Sequence, residues 1–174
     1  IGSVGLPLSD TDIQMLDEHD QPVADGKEGQ IAAKGPQVMK GYWQRPEETA
    51  KVMTSNGYFK TGDIGVRLSD GCIKIVDRLK DMIIVSGFNV YPNEIEDVLT
   101  KHSDILEAAV IGKSDDKTGE RVCAFITTSK ELSTEQVQEH CREFLTAYKI
   151  PKEITIIDEL PKSTVGKILR RELR

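Results

Sequence analysis
Three cysteines, Cys72, Cys123 and Cys141, are spread over 174 residues, too few and too scattered for a disulfide framework or a metal cluster. An odd number suits a reducing compartment, and all three read as small core or half-buried residues. The three histidines, His19, His102 and His140, are equally isolated, with no pair at metal-ligand spacing; they are expected at the surface, and no metal site is expected. No serine or cysteine keeps a histidine and an acid in a local hydrolase pattern, which argues against nucleophilic hydrolysis. Positive charge is also short. The 23 Lys and Arg face 29 Asp and Glu, a net charge of -6, and a chain without a basic face is a poor nucleic-acid binder. No apolar run approaches the roughly 18 residues of a membrane span. The opening I-G-S-V-G-L-P-L lacks the regions of a secretion signal, so a cytoplasmic setting is expected. The chain starts at Ile rather than Met and enters at once a strand-and-turn pattern, as expected of a segment of a longer protein.

What is present divides near the stretch Asp77–Glu96, D-R-L-K-D-M-I-I-V-S-G-F-N-V-Y-P-N-E-I-E. Before it, short apolar runs at 11–16 and 30–33 alternate with the turns D-E-H-D-Q-P and D-G-K-E-G. Pro46 opens a short helix with acids in its first turn, and 58–68 and 72–76 flank S-D-G as a hairpin. This half reads as a small β-rich, barrel-like body. After it, strands and helices alternate. A strand at 82–85 precedes a helix at 92–101 with Ile95, Val98 and Leu99 on one face. Strands follow at 106–111 and 122–127. Ser133 and Gln136 form a capping box for a helix whose Val137, Cys141, Phe144, Leu145 and Tyr148 share a face. A last strand is predicted at 153–157 and a last short helix at 166–173. The expected fold class is α+β, with a mixed sheet covered by helices in the second body.

Three polar clusters carry the candidate chemistry: Thr61-Gly62-Asp63, Arg78-Leu79-Lys80-Asp81 and P-K-S-T-V-G-K ending at Lys167. Asp63 also reads as a turn-closing residue, and Arg78 with Asp81 as an ion pair across a turn. A phosphate loop requires glycine where Pro161 stands and Ser or Thr where Ile168 stands, so that reading of Lys167 fails. Lys162, Lys167, Arg170, Arg171 and Arg174 against Glu172 make the tail locally basic. From the residues alone, the chain is a two-body protein with ribose- and phosphate-compatible groups and no named reaction.

Taken in order, the clusters resemble the adenylate-forming acyl-activating enzymes, which include acyl-CoA synthetases and peptide-synthetase adenylation domains. The resemblance runs through G-S-V-G-L-P, E-G-Q-I-A-A-K-G-P-Q-V-M-K-G-Y-W, K-T-G-D-I-G, I-V-D-R-L-K-D-M-I-I-V-S-G-F-N-V-Y-P-N-E-I-E and L-P-K-S-T-V-G-K-I-L-R-R-E-L. Bacterial long-chain fatty-acid CoA ligases look most similar. The resemblance implies that 1–77 is the last barrel-like subdomain of a large domain, 78–81 a hinge and 82–174 a mobile C-terminal domain. It implies ATP, magnesium and CoA as cofactors, and a fatty acid as the small-molecule substrate. The magnesium ligands and acyl tunnel would lie in a portion absent from this chain, which is therefore expected to be inactive alone. Carried over residue by residue, Asp63 and Arg78 are nucleotide-binding ribose contacts, Lys167 is the catalytic lysine of adenylation, Lys80 the pivot, and Ser86 and Gly87 the face shown to the pantetheine of CoA. N-G-Y-F-K-T-G-D departs from the ligases' D-G-W-x-H-T-G-D at Asn56, Tyr58 and Lys60, which loosens any statement on chain length. Two alternatives stand beside this reading. One keeps the chemistry with an aryl, medium-chain or amino acid; the other is a non-catalytic module whose basic tail meets a partner or sits peripherally at the inner membrane.

Overall fold
The computed structural model describes residues 2–174 and divides the chain into two compact units, the first ending at Lys80 and the second spanning Asp81–Arg174. In the first, β1 (Asp12–Leu16), β2 (Glu28–Lys34), β3 (Phe59–Arg67) and β4 (Ile73–Arg78) form an antiparallel sheet in the order β1-β2-β3-β4. The sheet is open, so the barrel-like body is not a closed barrel. Helix α1 (Pro46–Val52) lies between β2 and β3, with Pro at its start and Glu47 and Glu48 in its first turn, where the helix dipole favours acids. The core is small: Met15, Ile31 and Ile73 form one cluster, and Leu16, Ala32 and Tyr58 another.

The second unit holds β5 (Ile83–Val85), β6 (Phe88–Val90), α2 (Pro92–Leu99), β7 (Ile105–Asp115), β8 (Gly119–Thr128), α3 (Thr134–Arg142) and β9 (Glu153–Ile156). Sheet order is β6-β5-β8-β7, with β9 pairing parallel to β8, which makes the sheet mixed. Ile95, Val98 and Leu99 of α2 and Val137 and Cys141 of α3 bury against Val110, Val122, Ala124 and Ile126 of the sheet. The capping box forms as the sequence predicts: Gln136 N–H donates to Ser133 Oγ at 3.2 Å, and Ser133 N–H to Gln136 Oε1 at 2.9 Å. Leu99 is fully buried. Leu99→Ala is expected to lower stability by about 2–5 kcal/mol through lost transfer energy and a residual cavity, read as a lower urea midpoint at unchanged slope.

Several sequence expectations are corrected. The last helix, predicted at 166–173, is only a 3-10 turn over Arg170–Glu172. Backbone groups that a helix would use are taken by a tight hairpin: Ser163 N–H donates to Lys167 O at 2.8 Å and Leu169 N–H to Pro161 O at 2.8 Å. Helix α3 stops at Arg142, so Phe144 leaves the buried stripe and packs against the His140 ring at 5.3 Å. His102 and His140 are not free surface residues; their rings meet edge-on at 5.2 Å, and a His140 ring nitrogen lies 2.9 Å from Val98 O. Strand β6 was not foreseen. Cys123 and Cys141 are buried and Cys72 is partly so; burial pushes the Cys141 thiol up to about 11, leaving it an inert core residue.

Candidate functional site
Asp63 lies in the middle of β3, not in a turn, and its Cα partner across the sheet is Arg78 at the end of β4. A register shift between Ile64 and Gly65 sets that pairing. Glycine is required at 65: a Cβ there would meet Ile31 Cδ1 at 2.6 Å and Lys74 O at 2.9 Å. Thr61 fixes the approach to Asp63, donating through Oγ1 to Ile31 O at 2.9 Å while accepting Asp63 N–H at 3.1 Å. Arg78 Nε then donates to Asp63 Oδ1 at 2.8 Å. Oδ2 of Asp63 has no bonded partner among the described residues, so the carboxylate keeps an acceptor face open while its orientation is held. Arg78 thus pairs with Asp63, while the Asp81 carboxylate meets Arg174 at 3.1 Å and Arg170 at 3.7 Å. Asp77, 1% exposed, accepts Arg78 N–H through Oδ1 at 2.7 Å and anchors the backbone from which Arg78 projects. The sequence does not single out Asp77, because β4 reads I-K-I-V-D-R and one acid among three charged residues carries no burial signal.

Asp63 and Thr61 stand at an open depression of about 330 Å³ with an otherwise largely aliphatic lining that includes Leu6, Ile13 and Ile73. A larger depression, about 640 Å³, lies by Asp12, Lys34 and Tyr58. There the Tyr58 hydroxyl donates to Asp12, which raises the phenol's pKa, and Lys34 Nζ donates to Asn56 O at 2.9 Å. The smaller depression is the better candidate because its carboxylate, Asp63, is held in place by Thr61 and Arg78.

Lys80 is exposed within the 3-10 turn Leu79–Asp81. Ser86 and Gly87 form the two-residue turn between β5 and β6, with φ of 51° and 83°. Positive φ at both positions is what a tight I′ hairpin demands. A Cβ at Gly87 would meet nothing within 4 Å, so glycine serves the backbone conformation and leaves the turn's outer side open. Ser86 N–H donates to Thr118 O at 2.8 Å, and Ile84 N–H to Glu120 Oε2 at 2.7 Å, fixing the hairpin to the β7–β8 turn and to β8.

Lys167 is exposed at a hairpin tip where its N–H donates to Ser163 Oγ at 3.1 Å, and its ammonium has no ion pair among the described residues. Three other tail cations are committed, Lys162 to Glu107 at 2.7 Å, Arg170 to Glu96 at 2.7 Å and Arg174 to Asp81 at 3.1 Å, while Arg171 stays exposed beside Glu172 at 3.9 Å. The basic tail therefore offers far less free charge than its sequence implies. Asp63 and Arg78 are brought together in the first unit; Ser86, Gly87 and Lys167 belong to the second. No three His, Cys, Asp or Glu side chains among the described residues converge as a metal site, and no helix is long and apolar enough to cross a membrane.

Comparison with known proteins identifies the family. The AMP-binding enzyme profile matches residues 1–43 and the AMP-binding enzyme C-terminal domain profile residues 94–167, between them more than half of the chain. The chain belongs to the AMP-binding enzymes. Over 174 residues it is 52% identical to the long-chain-fatty-acid–CoA ligase of Yersinia pestis, covering 99% of this chain and 31% of that protein. It is 43% identical to the 2-succinylbenzoate–CoA ligase of Geobacillus kaustophilus, of which it covers 36%. The crystal structure of ATP-bound MatB from Rhodopseudomonas palustris superposes with a TM-score of 0.94 at 36% identity, over 99% of this chain and 35% of that one. The chain thus spans about a third of the length of these relatives.

Proposed function
We propose that this chain works as the C-terminal portion of an AMP-forming acid–CoA ligase, with a long-chain fatty acid as the acid. The observation that carries the reading is the Asp63–Arg78 pair on facing strand positions, within a chain 52% identical to a long-chain-fatty-acid–CoA ligase. In the first half-reaction a fatty carboxylate attacks the α-phosphorus of ATP, giving acyl-AMP and pyrophosphate. In the second the thiol of CoA attacks the acyl carbon and AMP leaves. Asp63 accepts the ribose hydroxyls, which suits a carboxylate with an unused oxygen, and Arg78 holds that carboxylate and adds a contact to the sugar. Lys167 places a positive charge where negative charge grows on the α-phosphate. Residues 78–81 act as a hinge with Lys80 as pivot, so that the second unit presents Lys167 for the first step and the Ser86-Gly87 turn to pantetheine for the second. Magnesium would accompany ATP, but the described residues offer no cluster to hold it, and no step here depends on it. The chain alone is proposed to be inactive.

The test is AMP release by the full-length protein with ATP, CoA and a panel of acids. Long-chain fatty acids are expected to be turned over best; a preference for aryl, medium-chain or amino acids would reassign the substrate while keeping the chemistry. For the pivot, Lys80→Pro fixes φ at 80 and bars Leu79 from the helical region, restricting the two backbone positions that a hinge would use. It is expected to slow thioester formation from supplied acyl-AMP by about tenfold or more while acyl-AMP formation persists. Normal thioester formation in that variant refutes the pivot.

A further inference from the structure
The hairpin that carries Lys167 is held at both feet. Before it, Leu160 is 1% exposed and Lys162 pairs with Glu107 on β7. After it, the Arg170 guanidinium reaches α2. Nε donates to Glu96 Oε1 at 3.0 Å, and Nη2 donates to Glu96 Oε2 at 2.7 Å and to Asn93 Oδ1 at 2.7 Å. Nη1 lies 3.7 Å from Asp81 Oδ2. Glu96 Oε1 also accepts Val110 N–H at 2.8 Å, so the same carboxylate joins α2 to β7 and to the tail. The Arg170 and Glu96 side chains are only 20% and 16% exposed. A forked guanidinium–carboxylate pair so shielded from water fixes geometry in a way that a lysine ammonium cannot reproduce.

We propose that Arg170 is a positioning residue for Lys167, acting through Glu96 to hold the hairpin tip where the ammonium is needed. The inference rests on Lys167 being the lysine of acyl-AMP formation. Lys167 is exposed on a long flexible stem, so the backbone beneath it, three residues before Arg170, decides where its charge is delivered. Misplacing a catalytic group by about 1 Å costs on the order of a hundredfold in rate.

The experiment measures the two half-reactions separately in the full-length enzyme. Arg170→Gln is expected to lower kcat for acyl-AMP formation by about ten- to a hundredfold. The KM for ATP should change less than about twofold, and thioester formation from supplied acyl-AMP should be unaffected. Arg170→Lys recovers part of the loss, because charge returns without the fork. Glu96→Gln slows the same half-reaction, and the double variant is no slower than the slower single one, since both break one link. Acyl-AMP formation at the parent rate in Arg170→Gln, beside an inactive Lys167→Ala, overturns the positioning role. Equal loss of both half-reactions overturns it too, by marking Arg170 as merely structural. If Lys167→Ala itself forms acyl-AMP normally, the reading of Lys167 fails, whatever Arg170 does.

Discussion
Lys167→Ala is expected to lower acyl-AMP formation by about 10²- to 10³-fold while leaving thioester formation from supplied acyl-AMP within about twofold of the parent. The size follows from the role proposed for the ammonium. Negative charge grows on the α-phosphate as the carboxylate attacks, and a cation held in place beforehand stabilises that state more than the ground state. Lys167 is suited to this because its hairpin is closed by Ser163 N–H to Lys167 O and by Lys167 N–H to Ser163 Oγ, while its ammonium has no carboxylate partner among the described residues. Lys162, Arg170 and Arg174 are already paired. Lys167→Arg keeps the charge but replaces a point donor by a planar fork, so an intermediate rate is expected. Pyrophosphate exchange reads the first half-reaction, and thiol consumption with supplied acyl-AMP reads the second. Equal loss in both assays would sink the assignment.

How far the sequence foretold this arrangement depends on how local each signal was. Helix α2 was legible because Pro92 starts it and Ile95, Val98 and Leu99 repeat on one face, and α3 because its capping box lies within four residues. The T-G-D and G-K clusters were legible as residue types. Their geometry was not. Asp63 and Arg78 are 15 residues apart and meet because a bulge at Ile64/Gly65 sets the register, a feature with no residue signature beyond a glycine. Arg170 and Glu96 are 74 residues apart and meet only when the tail crosses α2. The predicted last helix fails because backbone groups it would use are captured by the hairpin that carries Lys167. Phe144 fits the periodic face of α3 yet follows the end of the helix, and the His102–His140 contact requires α2 and α3 to lie side by side.

Asp63→Ala is expected to lower kcat/KM for ATP by at least about a hundredfold, because two hydrogen bonds from ribose hydroxyls to a charged acceptor contribute about 1.5–3 kcal/mol each. The loss falls on both half-reactions, since the same sugar is held in ATP and in acyl-AMP, and this separates Asp63 from Lys167. Part of the cost is indirect: Arg78 loses the carboxylate that its Nε meets at 2.8 Å. Asp63→Asn, which keeps an acceptor without the charge, should retain more activity than the alanine variant. The decisive comparison uses 2′,3′-dideoxy-ATP. The parent enzyme should strongly prefer ATP, whereas Asp63→Ala, lacking the group proposed to read those hydroxyls, should treat the two nucleotides nearly alike. If the variant still discriminates as the parent does, the hydroxyls are read elsewhere and Asp63 serves the sheet rather than the nucleotide. The open Oδ2 and the bulge that turns Asp63 toward Arg78 favour the first outcome.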